Sequence, residues 1–188
     1  MKKTLIVIIT AACATSAFAA SDNTVRFRGE VANQTCSLDI NGTEKSPIVL
    51  LPTVSLNEFK DGATITTGKT AGDTEFTINV SGCSPTKTGD NPNDMETLLH
   101  IAFVGNAVTT ANNLGNTGDA AGVSIQLTDN DIPFKFTSGD LVKSSQPVTI
   151  ADDGSVAPIT YVARYYAENS TITAGTVMAS AQYAITYK

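Results

Sequence analysis

The side chains of this sequence that could do covalent or metal chemistry are few: Cys13, Cys36, Cys83, the sole histidine His100, and the acidic runs Asp129-Asn130-Asp131 and Asp152-Asp153-Gly154. A redox pair would show a C-x-x-C and a metal centre a cluster of His and Cys; neither pattern is present. Both acidic runs lack the full spacing of an EF-hand loop and suit turns, so no metal is expected. No Gly-x-Ser-x-Gly elbow, Walker loop or His-Glu-x-x-His occurs, and one histidine leaves most nucleophile–base schemes without their base. His100, spaced at period two from Ala102 and Val104, reads as a satisfied or partly exposed strand residue. No catalytic residue and no cofactor are expected. Asn33-Gln34-Thr35, Asn41-Gly42-Thr43 and Asn169-Ser170-Thr171 match the glycosylation acceptor pattern, which is common by chance.

The start of the chain supplies an address. Lys2 and Lys3 are a cationic head, Leu5 to Ala14 an apolar run, and Ala17-Phe18-Ala19 a small-x-small cleavage signal, so residues 1–19 read as a secretory signal peptide. The apolar run is too short to cross a bilayer core of about 30 Å. A rival reading makes Cys13 a lipidation site, but Thr10 is a poor anchor for that motif. Cys13 is then discarded with the signal, and Cys36 and Cys83 remain in an oxidising compartment. An even pair there is most simply one disulfide, which would destabilise the unfolded chain by roughly 4 kcal/mol.

Without its leader the chain loses Lys2 and Lys3 and keeps all 18 acids against 10 of its 12 Lys and Arg, a formal charge of −8. That balance argues against a nucleic-acid binder, which needs a clustered basic footprint. At this length one core and one domain are expected. Thr, Ser, Val, Ala, Asn and Gly dominate, and no helical period appears. Alternation at period two does appear: Phe76, Ile78, Val80; Val123, Ile125, Leu127; and Ile159, Tyr161, Ala163, Tyr165 each share a face. These read as half-buried strands, as do Pro47–Leu51, Leu98–Val104 and Phe134–Phe136. The stretches 84–96 and 105–122 are rich in Gly, Asn and Asp and suit exposed loops. Short strands so spaced favour a β-sandwich.

Both ends alternate too. Near the start, Val25, Phe27, Gly29 and Val31 lie on one face and Arg26, Arg28 and Glu30 on the other. At the finish, Val177, Ala179, Ala181, Tyr183, Ile185 and Tyr187 face one way. Alternation alone reads both as ordinary edge strands. Yet a glycine inside a strand packs nothing, so Gly29 marks a place of close approach, and an exposed terminal strand invites pairing with another chain.

The order of these features carries a resemblance. A secretory signal, Val25-Arg26-Phe27-Arg28-Gly29-Glu30-Val31 leading to Cys36, then Cys83, Ala102-Phe103-Val104-Gly105, Gly122-Val123-Ser124-Ile125-Gln126-Leu127, Ala163-Arg164-Tyr165-Tyr166, Gly175 and penultimate Tyr187 together resemble the chaperone-usher pilins, in particular type 1 fimbrial major subunits. The likeness spans nearly all of residues 20–188. It implies an all-β fold, an incomplete immunoglobulin-like sandwich that lacks its last strand and is completed by a donor strand from another subunit. It also implies a division into signal peptide (1–19), N-terminal donor extension (20–35) and pilin domain (36–188).

By the same resemblance, Asn23, Val25, Phe27, Gly29 and Val31 are the donor residues, with polar Asn23 a departure from an apolar first position. Gly175, Val177, Ala179, Ala181, Tyr183, Ile185 and Tyr187 form the acceptor groove and the chaperone-recognition end. Implied partners are identical or related pilin subunits in a homopolymer, a periplasmic fimbrial chaperone and an outer-membrane usher, and the implied location is a fimbrium on the cell surface. Three function classes stand: a structural shaft subunit supporting adhesion; a minor or adaptor subunit of the same organelle; and a monomeric secreted β-sandwich lectin or hydrolase. The hydrolase lacks a catalytic constellation, and five tyrosines with no Trp give a lectin little stacking platform.

Overall fold

The computed structural model describes residues 36–83, 86–87, 95–96, 98–151 and 153–187. The signal peptide, Cys13 and the donor residues Asn23, Val25, Phe27, Gly29 and Val31 lie outside them. In chain order the strands are β1 (Ser37–Ile40), β2 (Lys60–Asp61), β3 (Thr64–Ile65), β4 (Thr70–Ser81), β5 (Thr86–Lys87), β6 (Met95–Glu96), β7 (Leu98–Gly105), β8 (Leu114–Gly115), β9 (Val123–Asp129), β10 (Ile132–Pro133), β11 (Val142–Lys143), β12 (Val148–Thr149), β13 (Ile159–Ala167) and β14 (Ala181–Tyr187). One 3-10 turn, Leu56–Phe59, opens with a capping box between Ser55 and Glu58.

Two antiparallel sheets face each other. The first runs β1-β4-β13-β9-β10, with β8 also on β9; the second has β7 at its centre, flanked by β11 and β12 on one edge and β14 on the other. Their inner faces carry Phe76, Ile78 and Val80 on β4 and Tyr161 and Ala163 on β13, as read from the sequence, together with Leu99, Ile101 and Phe103 on β7, all buried. An aromatic cluster knits the sheets together, with Phe103 5.2 Å from Phe134 and 5.6 Å from Tyr161 between ring centres. Gly72, at φ +69°, sits where the β4–β13 register shifts between Ala163 and Tyr165. A Cβ there would lie 2.9 Å from the Tyr165 ring, so the bulge needs a residue without one.

Cys36 and Cys83 form the expected disulfide, joining the residue before β1 to the end of β4 with Cα atoms 4.4 Å apart. Asn130 and Asp131, at φ +48° and +65°, are the two central residues of the β9–β10 hairpin turn. The first acidic run is thus a type I′ turn, which needs positive φ at both positions. Asp153 accepts from the Ser155 N–H in a turn of its own.

The structure corrects several sequence expectations. Strand β9 is buried at all seven residues rather than half-buried, because Asn113 from the 105–122 stretch, with Ser145, Arg164 and Glu168, covers its polar face. That stretch is accordingly no simple surface loop; it contributes β8 and buries Asn113, Leu114 and Ala120. Phe134–Phe136 forms no strand: Phe134 N–H donates to Leu127 O and Phe136 N–H to Asn112 O, so the segment bridges two partners instead of laddering with one. Pro47–Leu51 is also without strand pairing, although Pro47, Val49 and Leu51 turn toward the interior. The alternating finish is a strand only from Ala181; residues 177–180 precede it outside any ladder with β7.

Candidate functional site

An apolar groove of about 970 Å³ opens along β14. Phe76, Phe103, Ile125, Leu127 and Ala163 make its floor, one wall is Ser46–Leu51, and the other is Val177–Tyr183. No lining residue carries a charge. The local reason for the groove lies in strand pairing. Strand β14 bonds to β7 through register Ala181↔Gly105 to Tyr187↔Leu99, and no other described strand pairs with it. The opposite wall, Ser46–Leu51, has no ladder either. One strand's width of sheet is therefore missing between them.

The residues around this gap show incomplete cover. Val177, Ala179, Ala181, Tyr183, Ile185 and Tyr187 all pack against the core, as their alternation predicts, but each is only partly buried. Across the gap Ile48 is 79% exposed and Leu50 82%. Met178, on the near rim, is 57% exposed. Such concentration of apolar surface around a slot is the mark of an interaction site rather than of scattered surface leucines.

Two tyrosines brace the slot. The Tyr165 hydroxyl donates to Pro52 O at 3.2 Å and the Tyr183 hydroxyl to Glu44 O at 3.4 Å, tying the far wall to β13 and β14. Burial pushes the Tyr165 hydroxyl above the ordinary tyrosine value. Gly175, grouped with the groove by the resemblance, stands beyond the lining. A Cβ there would lie 2.6 Å from Ala120 N and 2.8 Å from Asp119 C, so this glycine permits close backbone approach.

Elsewhere the structure offers little for chemistry. Among the described residues no group of three or more His, Cys, Asp or Glu is arranged to hold a metal. His100 Nδ1 lies 3.1 Å from Ser144 O and 3.4 Å from Ser144 Oγ, but that hydroxyl donates to Gln146 O and is buried. Asp129, also buried, accepts from the N–H and hydroxyl of Ser145. What the sequence missed is the far wall: Ile48 and Leu50 read as strand residues, and nothing in their pattern marked them as a rim. A second unforeseen feature is the polar layer over β9, where Arg164 donates twice to Gln126 Oε1, Gln126 to Asn113, and Ser124 to Glu168.

Comparison with known proteins follows the same lines. The family model described as "Fimbrial protein" matches residues 25–188. An F17 fimbrial protein of Escherichia coli is 35% identical over 96% of this chain and 95% of its own length. A type-1 fimbrial protein subunit of Serratia marcescens is 32% identical over the whole of both chains. The crystal structure of the P pilus rod subunit PapA shares the fold, with a TM-score of 0.59 over 81% of this chain and 99% of its own, at 18% identity.

Proposed function

From the premise that this chain belongs to the fimbrial protein family, we propose that its groove receives a β-strand from a neighbouring subunit and that its own residues 20–35 fill the next subunit's groove. The protein is a structural pilus subunit rather than an enzyme, and its place is the surface fimbrium. The observation that carries the docking reading is the slot beside β14: a strand that only β7 pairs with among the described strands, above an apolar floor. A strand entering there gains ladder hydrogen bonds and covers the partly buried residues from Val177 to Ile185.

The donor side fits in length and chemistry. Val25–Val31 is seven residues, as is β14. Burial of Val25, Phe27 and Val31 is worth roughly 1.5–3 kcal/mol each. Gly29 brings the backbone close at one position, while Arg26, Arg28 and Glu30 stay on the solvent side. Polar Asn23 leaves the end of the slot less well filled. Val177, Ala179, Ala181, Tyr183, Ile185 and Tyr187 are the acceptor residues, with Gly175 holding the approach to them.

An open apolar slot is an aggregation hazard before assembly. A periplasmic chaperone strand covering it, exchanged at an outer-membrane usher for the subunit extension, answers that hazard, and the signal peptide at 1–19 supplies the route to the periplasm. No energy source beyond folding is required. The test is to shear surface material from the native cells and run it on a denaturing gel with and without boiling. A ladder of high-mass species that collapses to monomer on boiling is expected; monomer in both lanes would overturn the docking reading.

A further inference from the structure

Asn116 sits at the centre of the contacts that hold the segment ahead of β14, among them Thr117 Oγ1 donating to Met178 O, Asn106 Nδ2 to Ser180 Oγ and Thr176 Oγ1 to Asp119 Oδ2. Asn116 Oδ1 accepts from the N–H groups of Met178 and Gly118, both at 2.8 Å, and its Nδ2 donates to Ala120 O at 2.6 Å. The backbone beside it completes the clasp: Thr117 N–H donates to Met178 O, Ala120 N–H to Thr176 O and Asn106 N–H to Ser180 O. Every second residue, 176, 178 and 180, is thus turned toward the 106–120 stretch. In an extended chain the residues between must turn their backbone groups the other way, which here is into the slot. Val177 and Ala179 also pack their side chains on the core, as strand alternation requires.

We infer that Asn116 is a positioning residue for strand docking: it holds Val177 and Ala179 in line with β14 and so lengthens the docking edge by four residues. The inference rests on the docking reading above and goes beyond it. Four residues at the strand rise add roughly 13 Å. The edge then runs from Val177 rather than from Ala181, where the β7 ladder begins, and its first third is organised by a loop instead of by the sheet.

The test uses the purified monomeric chain and labelled peptides of residues 20–35, 24–35 and 20–31, with uptake followed by size exclusion. Asn116→Ala should take up the full peptide about tenfold more slowly, the scale expected when an ordering hydrogen bond is lost. One truncated peptide, the one too short to reach Val177 and Ala179, should enter both proteins at the same rate; a general loss of structure would slow every peptide alike. Should Asn116→Ala fail to fold, Asn116→Gln, which displaces the amide by one methylene, takes its place with the same expectation. Equal uptake of the full peptide by variant and wild type overturns the positioning role. No uptake of any peptide by the wild type overturns the docking reading itself and this inference with it.

Discussion

Strands β9 and β14 alternate alike in sequence and meet opposite fates. Val123–Asp129 is buried at every residue, whereas in Ala181–Tyr187 only Thr186 is. Three of the four polar residues of β9 are covered with a partner, Ser124 on Glu168, Gln126 on Asn113 and Arg164, and Asp129 on Ser145, while the Thr128 hydroxyl is buried with none among the described residues. The apolar residues of β14 are left half-covered because the strand beside them is absent from the described chain. Alternation fixes which face a residue takes and says nothing about what lies over that face. Most of the polar face of β9 sinks with its hydrogen bonds met within the fold, whereas the apolar face of β14 stays partly open among the described residues.

The largest way to break this contrast is to close the open side. Adding the peptide of residues 20–35 should raise the stability of the monomer by several kcal/mol, from three buried apolar side chains and a new ladder. Urea titration reads the effect as a shifted midpoint, and an unchanged midpoint would remove the distinction between the strands. In cells, Gly29→Leu should abolish polymer, since its side chain needs space at a point of close approach. Normal ladder formation by that variant would count against the donor assignment.

Paired truncations sharpen the contrast at the next scale. Leu127→Ala on β9 removes a buried core side chain and should cost about 2–5 kcal/mol in the bare monomer. Ile185→Ala on β14 should cost clearly less in the bare monomer, where Ile185 is only partly buried, and approach the β9 figure once the slot is filled. Equal costs for both variants in the monomer would mean that the slot is already covered.

Replacing Gln126 by Ala tests the polar cover of β9. Among the described residues it leaves the Arg164 guanidinium with Asp73, 3.7 Å away, and takes from Asn113 Oδ1 the Gln126 amide donor, at a cost of about 1–3 kcal/mol. Peptide uptake should be unchanged, because this layer lies on the face away from the slot. A variant that unfolds no more easily than wild type would show that the cover over β9 is dispensable.

How much of this was legible in the sequence follows from the range of each interaction. The inward residues of β4 and β13, the extent of β7 and the disulfide were readable, because period two and the count of two retained cysteines are local facts. Burial of β9 was not, since its cover comes from Asn113 and Glu168, 13 residues away from Gln126 and 44 from Ser124. Pro47–Leu51 was misread as a strand because alternation gives the side-chain pattern and a strand also requires a partner. The shared face at 177–187 was legible from its alternation, but not the clasp at Asn116, whose bond from Met178 N–H spans 62 residues.

The smallest expected effect belongs to Tyr161, which joins the closed region from β13. Its hydroxyl is buried without a hydrogen-bond partner among the described residues, and burial, helped by the negative charge of Asp129, raises its pKa far above the ordinary tyrosine value near 10. The fold therefore favours the neutral phenol. Below about pH 10 both folded and unfolded chains hold the proton and this group adds no pH dependence; above it the unfolded chain releases its proton first. Stability should then fall with rising pH by up to about 1.4 kcal/mol per unit from this group. Tyr161→Phe should leave stability at pH 7 within about 1 kcal/mol, since no bond is lost, and should flatten the alkaline slope measured by urea titration from pH 9 to 11. An unaltered slope would place the hydroxyl in contact with water, and the closed region would be less closed than β9 indicates.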